Sequence, residues 1–407
     1  MPQNPTSDPI LLEPLVVTVT IEPELLSAAY NLITVQITKS PYRVGGLFYV
    51  EVYALPQRNA RMSGNPKIGA KLITTLTKNG DSTGKCTFDL GNVLASQFSG
   101  YNAPQSVISV QKDDTAFIPY YYKVGYIVFD VLNNQVKTQV KESPVLFAIR
   151  AALPLHGDKT MMEYLYQFDN EPVDLLTNIT NGLERHRNEA TYLSCFFAKL
   201  ATATNPKIRV RADLNFHSGT AAGQAVYSVL VTEEEVATGG VYVFNVKPEV
   251  FLAQPNYPYL HSYSVWLTYE DDDRSEYAIS FSKTFIVADN LLNPQEVTFL
   301  NRAGGWDSLQ FTRNIREEMK TDVVSYRNAT AERVSGVSAK SNITIYSPWL
   351  PNKAHDWLRD LVLSPVVLLD GKYVKLQDTT HKYDSTEDVF SLELTVSPEY
   401  EQNSIRF

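Results

Sequence analysis

Apolar and polar residues alternate along much of this chain with a period of two, which is the signature of half-buried β-strands. The clearest run is "KIRVRADLNF" (207–216). Ile208, Val210, Ala212, Leu214 and Phe216 fall on one face, and Arg209, Arg211, Asp213 and Asn215 on the other. "VTVTI" (17–21), "CTFDL" (86–90), "ITIY" (343–346) and "FSLELTV" (390–396) repeat the pattern. Strands of this kind bury one side and wet the other, as in antiparallel sandwiches. Clusters such as "KSPYRVGG", "KNGDSTG", "ATGG" and "LDGK" interrupt them at the short intervals expected of sandwiches or barrels.

Two segments repeat weakly. "FYVEVYA" (48–54), "TGKCTFDLGNVLA" (83–95) and "YYYKVGYIVF" (120–129) are answered in order by "KIRVRADLNF" (207–216), "GGVYVFNVKPEVFLA" (239–253) and "YPYLHSYSVWLTY" (257–269). The expected fold class is therefore mainly β. Two tandem β-sandwich domains of fibronectin-III/Ig-like type, 1–154 and 190–292, flank a long connection over 155–189. That connection lacks alternation and has room for a short helix or two; loops of such length are usually functional or packed against something. A smaller α+β domain, 293–407, follows. Its helix is predicted in "NKAHDWLRDLVLSP" (352–365), where Ala354, Trp357, Leu358, Leu361 and Val362 form one stripe, Asn352 is placed to cap the start and Pro365 to stop the end. After it, "VVLLDGKYVKL" reads as a hairpin whose Asp370-Gly371 pair suits a type I′ turn.

Composition narrows the function. The 407 residues are 44% hydrophobic and 20% charged, ordinary for a chain with real cores, and the net charge is −9. No long basic tract offers grip on nucleic acid phosphates. "MPQNPTSDP" has no basic segment followed by an apolar run, and no apolar stretch approaches the ~20 residues of a membrane span. The expectation is a protein made in a cytoplasm without a membrane span. The two cysteines, Cys86 and Cys195, fall on apolar faces with Phe88 and Leu90 and with Leu193 and Phe197, as small core residues do.

Motifs for chemistry are sparse. "FLNRAGGWDSLQFTR" (299–313) joins paired glycines, a tryptophan, an acid and two arginines. A phosphate-cradling loop needs a helix after the glycines. A strand follows here, so the segment reads as a hairpin in which Gly304 and Gly305 supply unusual backbone angles and Trp306 packs over the turn. "EDDDR" (270–274) has consecutive acids and no central glycine, so it reads as a solvated hairpin tip and not as a calcium loop. None of His156, His186, His217, His261, His355 and His381 lies at zinc-ligand spacing. No catalytic residue, cofactor or metal site is assigned. Tyrosine is the one excess, at 24 residues, and tyrosine is enriched at protein interfaces. Tyr120, Tyr121, Tyr257, Tyr259 and Trp306 are the candidate partner contacts, with glycan as the alternative ligand.

A chain that combines "FAIRAALP" (147–154), "FLNRAGGWDSLQFTR" and "PWLPNKAHDWLRDLVLSPVVLLDGKYVKLQD" (348–378) resembles tail and baseplate structural proteins of phages and prophages of Bacteroidetes. The resemblance covers the last third best and the first sandwich in part. It implies a non-enzymatic virion protein, located in the tail, in a ring, adaptor or baseplate position. Its implied partners are other copies of itself and neighbouring tail proteins. The rival expectation is a carbohydrate- or receptor-binding protein that uses tyrosine-rich loops for host attachment.

Overall fold

The computed structural model of the chain describes residues 16–398 apart from 41–46, 57–66, 108, 130–134, 155–158, 167–170, 199–206, 218–226, 237–238, 255, 271–274, 312, 328–329 and 378–385. The molecule is mainly β. Its first part holds β1 (Val16–Ile21), β2 (Leu26–Ala28), β3 (Thr34–Ser40), β4 (Leu47–Ala54), β5 (Lys71–Asn79), β6 (Lys85–Asp89), a one-turn helix α1 (Gly91–Ala95), β7 (Val110–Asp113), β8 (Phe117–Phe129), β9 (Gln135–Glu142) and β10 (Leu146–Ile149). A three-stranded sheet, β1-β3-β6, faces a six-stranded sheet ordered β2-β10-β8-β4-β5, with β9 also on β8. The alternation explains the sandwich: Val35, Ile37, Cys86 and Phe88 of the small sheet meet Phe48, Val50, Val52, Tyr120 and Tyr122 of the large one.

The second part repeats that plan with β11 (Leu183–His186), β12 (Tyr192–Phe197), β13 (Lys207–Phe216), β14 (Tyr227–Glu235), β15 (Gly240–Asn245), β16 (Leu260–Glu270), β17 (Glu276–Ala278) and β18 (Lys283–Ala288). Its large sheet runs β11-β18-β16-β13-β14 with β17 on β16, strand for strand the order of the first. In each, the first strand runs parallel to its neighbour, β2 to β10 and β11 to β18. The weak sequence repeat maps onto equivalent places: β4 onto β13, β6 with the turn after it onto β15 with the 3-10 turn at Pro248–Phe251, and β8 onto β16. The small sheets differ at one strand. The second is β12-β15-β7, and its β7 is lent by the first part of the chain.

The third part holds β19 (Gln295–Leu300), β20 (Trp306–Phe311), β21 (Arg313–Arg327), β22 (Glu332–Tyr346), β23 (Leu350–Pro351), helix α2 (His355–Val362), β24 (Val367–Leu369), β25 (Lys372–Leu376), β26 (Val389–Phe390) and β27 (Glu393–Pro398). Seven of these strands form one sheet, β20-β19-β24-β25-β27-β22-β21, while β23 pairs with β26. Strands β20 and β21 are separated by one residue yet end opposite edges of the sheet, so the sheet must curl. Helix α2 packs on it through Trp357, Leu358 and Leu361, which share a core with Phe299, Leu309, Ile345 and Leu394. The helix starts later than the sequence pattern predicts. Pro351 opens a 3-10 turn over Asn352–Ala354, so Asn352 lies inside that turn and does not cap the helix. The Asp370-Gly371 turn is as expected, with φ of 49° and 75°, the double positive φ of a type I′ turn.

The connection between the sandwiches is built into the structure. Met161–Tyr164 forms a capped 3-10 turn, Leu165 bridges to Phe196, Val173 bridges to Ser280, and the connection's last residues become β11. Leu175, Leu176 and Ile179 are buried, which accounts for a long segment without alternation: these residues fill the space between elements.

Candidate functional site

The stretch 299–313 is a hairpin, β19 against β20, with residues 301–305 as its turn. The Asn301 side chain organises that turn: its carbonyl accepts from Gly305 N at 3.0 Å, and its amide donates to Leu176 O at 2.8 Å and to Asp307 Oδ2 at 2.9 Å. The paired glycines divide the work differently from the expectation. Only Gly304 takes a positive φ, 87°. Gly305 is required by space, since a Cβ there would sit 2.1 Å from Leu176 O and 2.9 Å from Ser194 Cβ. Trp306 is 1% exposed, donates its backbone N–H to Ser194 Oγ at 3.0 Å, and packs with Tyr192, Val243 and Leu368.

Every residue of β20 is buried, including Asp307, Ser308 and Gln310. Asp307 Oδ1 accepts from Thr177 Oγ1 at 2.7 Å, and Oδ2 accepts from Trp357 Nε1 at 3.0 Å as well as from Asn301. Burial raises its carboxyl to about 6, against the pull of these three donors. Next to it, Asp360 of α2 is fully buried, pairs with Arg302 and accepts from Asn178 Nδ2 at 2.7 Å; burial raises its carboxyl too. On the other side, Arg185 and Glu189 form a buried ion pair at 2.7 Å. Arg185 also donates to Ser308 O at 2.9 Å, and Glu189 accepts from Gln310 N at 3.0 Å. These polar groups tie the connection, the 301–307 turn and α2 into one knot. Arg185, Glu189, Asp307 and Asp360 are buried in it, while Arg302 and Asn178 are partly exposed.

The five candidate contact residues fall in different places. Tyr120 points into the first sandwich core, and Tyr121, on the opposite face of the same strand, stacks on Tyr53 at 4.8 Å. Tyr257 is buried under the Arg187 guanidinium, 4.9 Å from its ring, and Trp306 lies in the knot just described. Tyr259, in the 3-10 turn Tyr257–Tyr259, keeps 53% of its surface exposed. Of the five it alone presents its ring to a partner without the chain opening.

Both cysteines are free and buried, and burial raises their thiols, Cys86 to about 11 and Cys195 to about 12, so neither is a thiolate nucleophile near neutral pH. The run 271–274, His156 and His381 lie outside the described residues. Among the described residues no group of three or more His, Cys, Asp or Glu could hold a metal ion, although the rings of His217 and His261 meet at 4.5 Å, tilted by 44°. No helix among them is long and apolar enough to cross a membrane. A shallow groove of ≈ 390 Å³ lies between Pro23, Asn31, Leu153 and Lys159, and its lysine is already paired with Asp174.

The feature that faces outward is the long ribbon β21–β22. Its strands have 15 residues each, so it extends over ~50 Å. Only its base joins the sheet, where Ile343–Tyr346 pair with β27; among the described residues β21 pairs with β22 alone. Above that base the side chains lie open: Met319 is 54%, Val323 56%, Val324 62%, Tyr326 51% and Val334 53% exposed. The register sets Glu317 opposite Ile343, Thr321 opposite Ala339 and Val323 opposite Val337, while Glu318 and Lys320 oppose Asn342 and Lys340. Along β21, Met319, Thr321 and Val323 thus share one face, and Glu318 and Lys320 the other. A shift in register between Val324 and Ser325 turns the tip.

No protein-family model and no curated protein matches the chain. Solved structures overlap it only loosely. A Ca²⁺-stabilised adhesin with which an Antarctic bacterium reaches out and binds ice is 10% identical, with 94% of this chain and 98% of that chain covered at a TM-score of 0.20. The BSP domain of a biofilm-associated protein is 11% identical, with 82% and 63% covered at 0.17. The extracellular region of plexin A4 is 7% identical, with 96% and 37% covered at 0.17. These similarities are too distant to assign this chain a family or a ligand.

Proposed function

We propose that the chain is a structural virion protein of a phage tail or a related injection machine, working by protein–protein assembly in a ring, adaptor or baseplate position. The observation that carries assembly is the ribbon β21–β22. A two-stranded ribbon with both faces in water is marginal by itself, and exposed apolar side chains over such a length mark an interaction surface. The rest of the fold suits that role: two sandwiches and a curled sheet, joined by a buried polar knot, form a rigid base from which the ribbon projects. The tail setting rests on the resemblance of residues 299–313 and 348–378. In this reading the partners are other copies and neighbouring tail proteins, the location is the virion, and the chain performs no catalytic step.

The mass of the purified chain, alone and mixed with tail extract, tests this reading. A complex larger than the monomer is expected in at least one setting; a clean monomer in both contradicts it. Carbohydrate or receptor binding is the second reading, and the exposed ring of Tyr259 on its loop is what favours it. A glycan array separates the two: specific glycan retention that Tyr259→Ala abolishes supports the second reading.

A further inference from the structure

We propose that the ribbon β21–β22 docks on a second copy of this chain, so that successive copies link arm to body. The inference rests on the assembly reading and names the partner. Three observations converge on it.

The first is charge. Residues 313–346 carry six basic and four acidic residues, net +2, which leaves 30 basic and 41 acidic residues, net −11, on the rest of the chain. A positive arm and a negative body are complementary between copies, and each copy offers both. Within the ribbon the backbone register sets Lys320 and Lys340 at the same level.

The second is size. The stretch 316–334 is solvent-facing wherever its side chains are described, and its length approaches the roughly 20–30 residues that one partner gives to a standard interface. Met319 and Val323 on one face, and Tyr326 and Val334 at the tip, supply the apolar centre of such an interface.

The third is edge chemistry. Strand β21 ends the seven-stranded sheet, so its outer edge leaves backbone N–H and C=O groups without a strand neighbour among the described residues. Natural proteins blunt a long open edge or use it for pairing. Strand β14 ends the large sheet of the second sandwich; its Glu234 and Glu235 are exposed, while the exposed Glu233 is already paired with Lys207 and Arg209 of β13. An acidic, open strand edge is therefore present on the body of every copy. Because arm and receiving edge are different surfaces, the contact is head-to-tail, the type that closes into rings or runs on as filaments.

The test uses the full chain. Sedimentation velocity across a concentration series compares wild type, Met319→Asp/Val323→Asp, and Lys320→Glu/Lys340→Glu, with the melting temperature of each recorded alongside. The expected result is a self-associating wild type whose association weakens at high salt. Both double variants should weaken it by about 100-fold or more while melting as wild type does, since the ribbon lies outside the cores. Association that survives both double variants overturns the ribbon as the contact. A wild-type chain that stays monomeric alone but enters a complex in tail extract overturns the second copy as partner and leaves the assembly reading standing. A monomer in both settings overturns both.

Discussion

Gly304 and Gly305 are both hemmed in by backbone oxygens, and Gly304 is held by a positive φ as well. Gly304→Ala places a side chain at a φ of 87°, which costs on the order of 1–2 kcal/mol, and sets its Cβ 2.8 Å from Arg150 O, which adds to that cost. Gly305→Ala is expected to cost more, because the added carbon meets Leu176 O, a backbone atom that cannot swing away. Trp306→Ala empties a fully buried site and should cost roughly 3–5 kcal/mol in a denaturant melt. If Trp306→Ala melts as wild type does, the packing account of the hairpin fails. Glu189→Ala strands the buried Arg185 guanidinium, a loss of ~3–5 kcal/mol by the same measurement. Asp307 gives the knot a pH signature. Its folded carboxyl titrates at about 6 and an unfolded aspartate near ~3.9, so between those values the folded chain keeps a proton that the unfolded chain has lost. The stability it contributes is full below pH ~4 and declines as pH rises to about 6. Glu276 has the opposite sign: its neighbour Arg211 holds it down to about 2, so its contribution is lost as pH falls. That effect is common to wild type and Asp307→Asn, so the wild-type melting temperature minus the variant's should fall between pH 4 and 6 and then level. A difference that rises over that range would falsify the assignment.

Elements differ in how plainly the sequence announces them. Strand β13 alternates strictly because one face meets the core and the other meets water, and its buried set is the one the pattern names. Helix α2 and the Asp370-Gly371 hairpin were legible for similar reasons: a stripe at helical spacing and a turn that demands positive φ. Strand β20 was legible as a strand but not as the centre of a knot. Its Ser308 and Gln310 alternate with Leu309 and Phe311 as a wet face would, Asp307 falls on the apolar face, and only tertiary partners bury all three. Strand β11 escaped because its two buried polar residues, Arg185 and His186, mask the period. The ribbon escaped for the opposite reason. Where both faces lie in water no period is enforced, and "REEMKTDVVSYR" reads as solvated chain. The same exposure predicts its dynamics. In the isolated chain the amides of 316–334 should exchange with solvent far faster than those of β13, which is paired on both edges by β14 and β16. Assembly should slow them. Equal protection of ribbon and β13 in a monomer contradicts an uncovered ribbon.

At the scale of the whole molecule, duplication and exchange explain the architecture together. Two large sheets with one strand order stand side by side, and β7 leaves the first part to complete the small sheet of the second. The 301–307 turn locks both to the third part through Ala152 N to Arg302 O at 2.8 Å and Trp306 N to Ser194 Oγ at 3.0 Å. Such interlocking suits a component that must hold its shape while neighbours bind it, and it leaves the ribbon as the one long element without a covering layer among the described residues. Imaging of native tail particles tests the central claim most directly. The account predicts repeated copies in a ring or layer of the tail, each with the ribbon at 316–334 buried against a neighbour. Particles that lack the chain, or copies whose ribbons all project into solvent, contradict it.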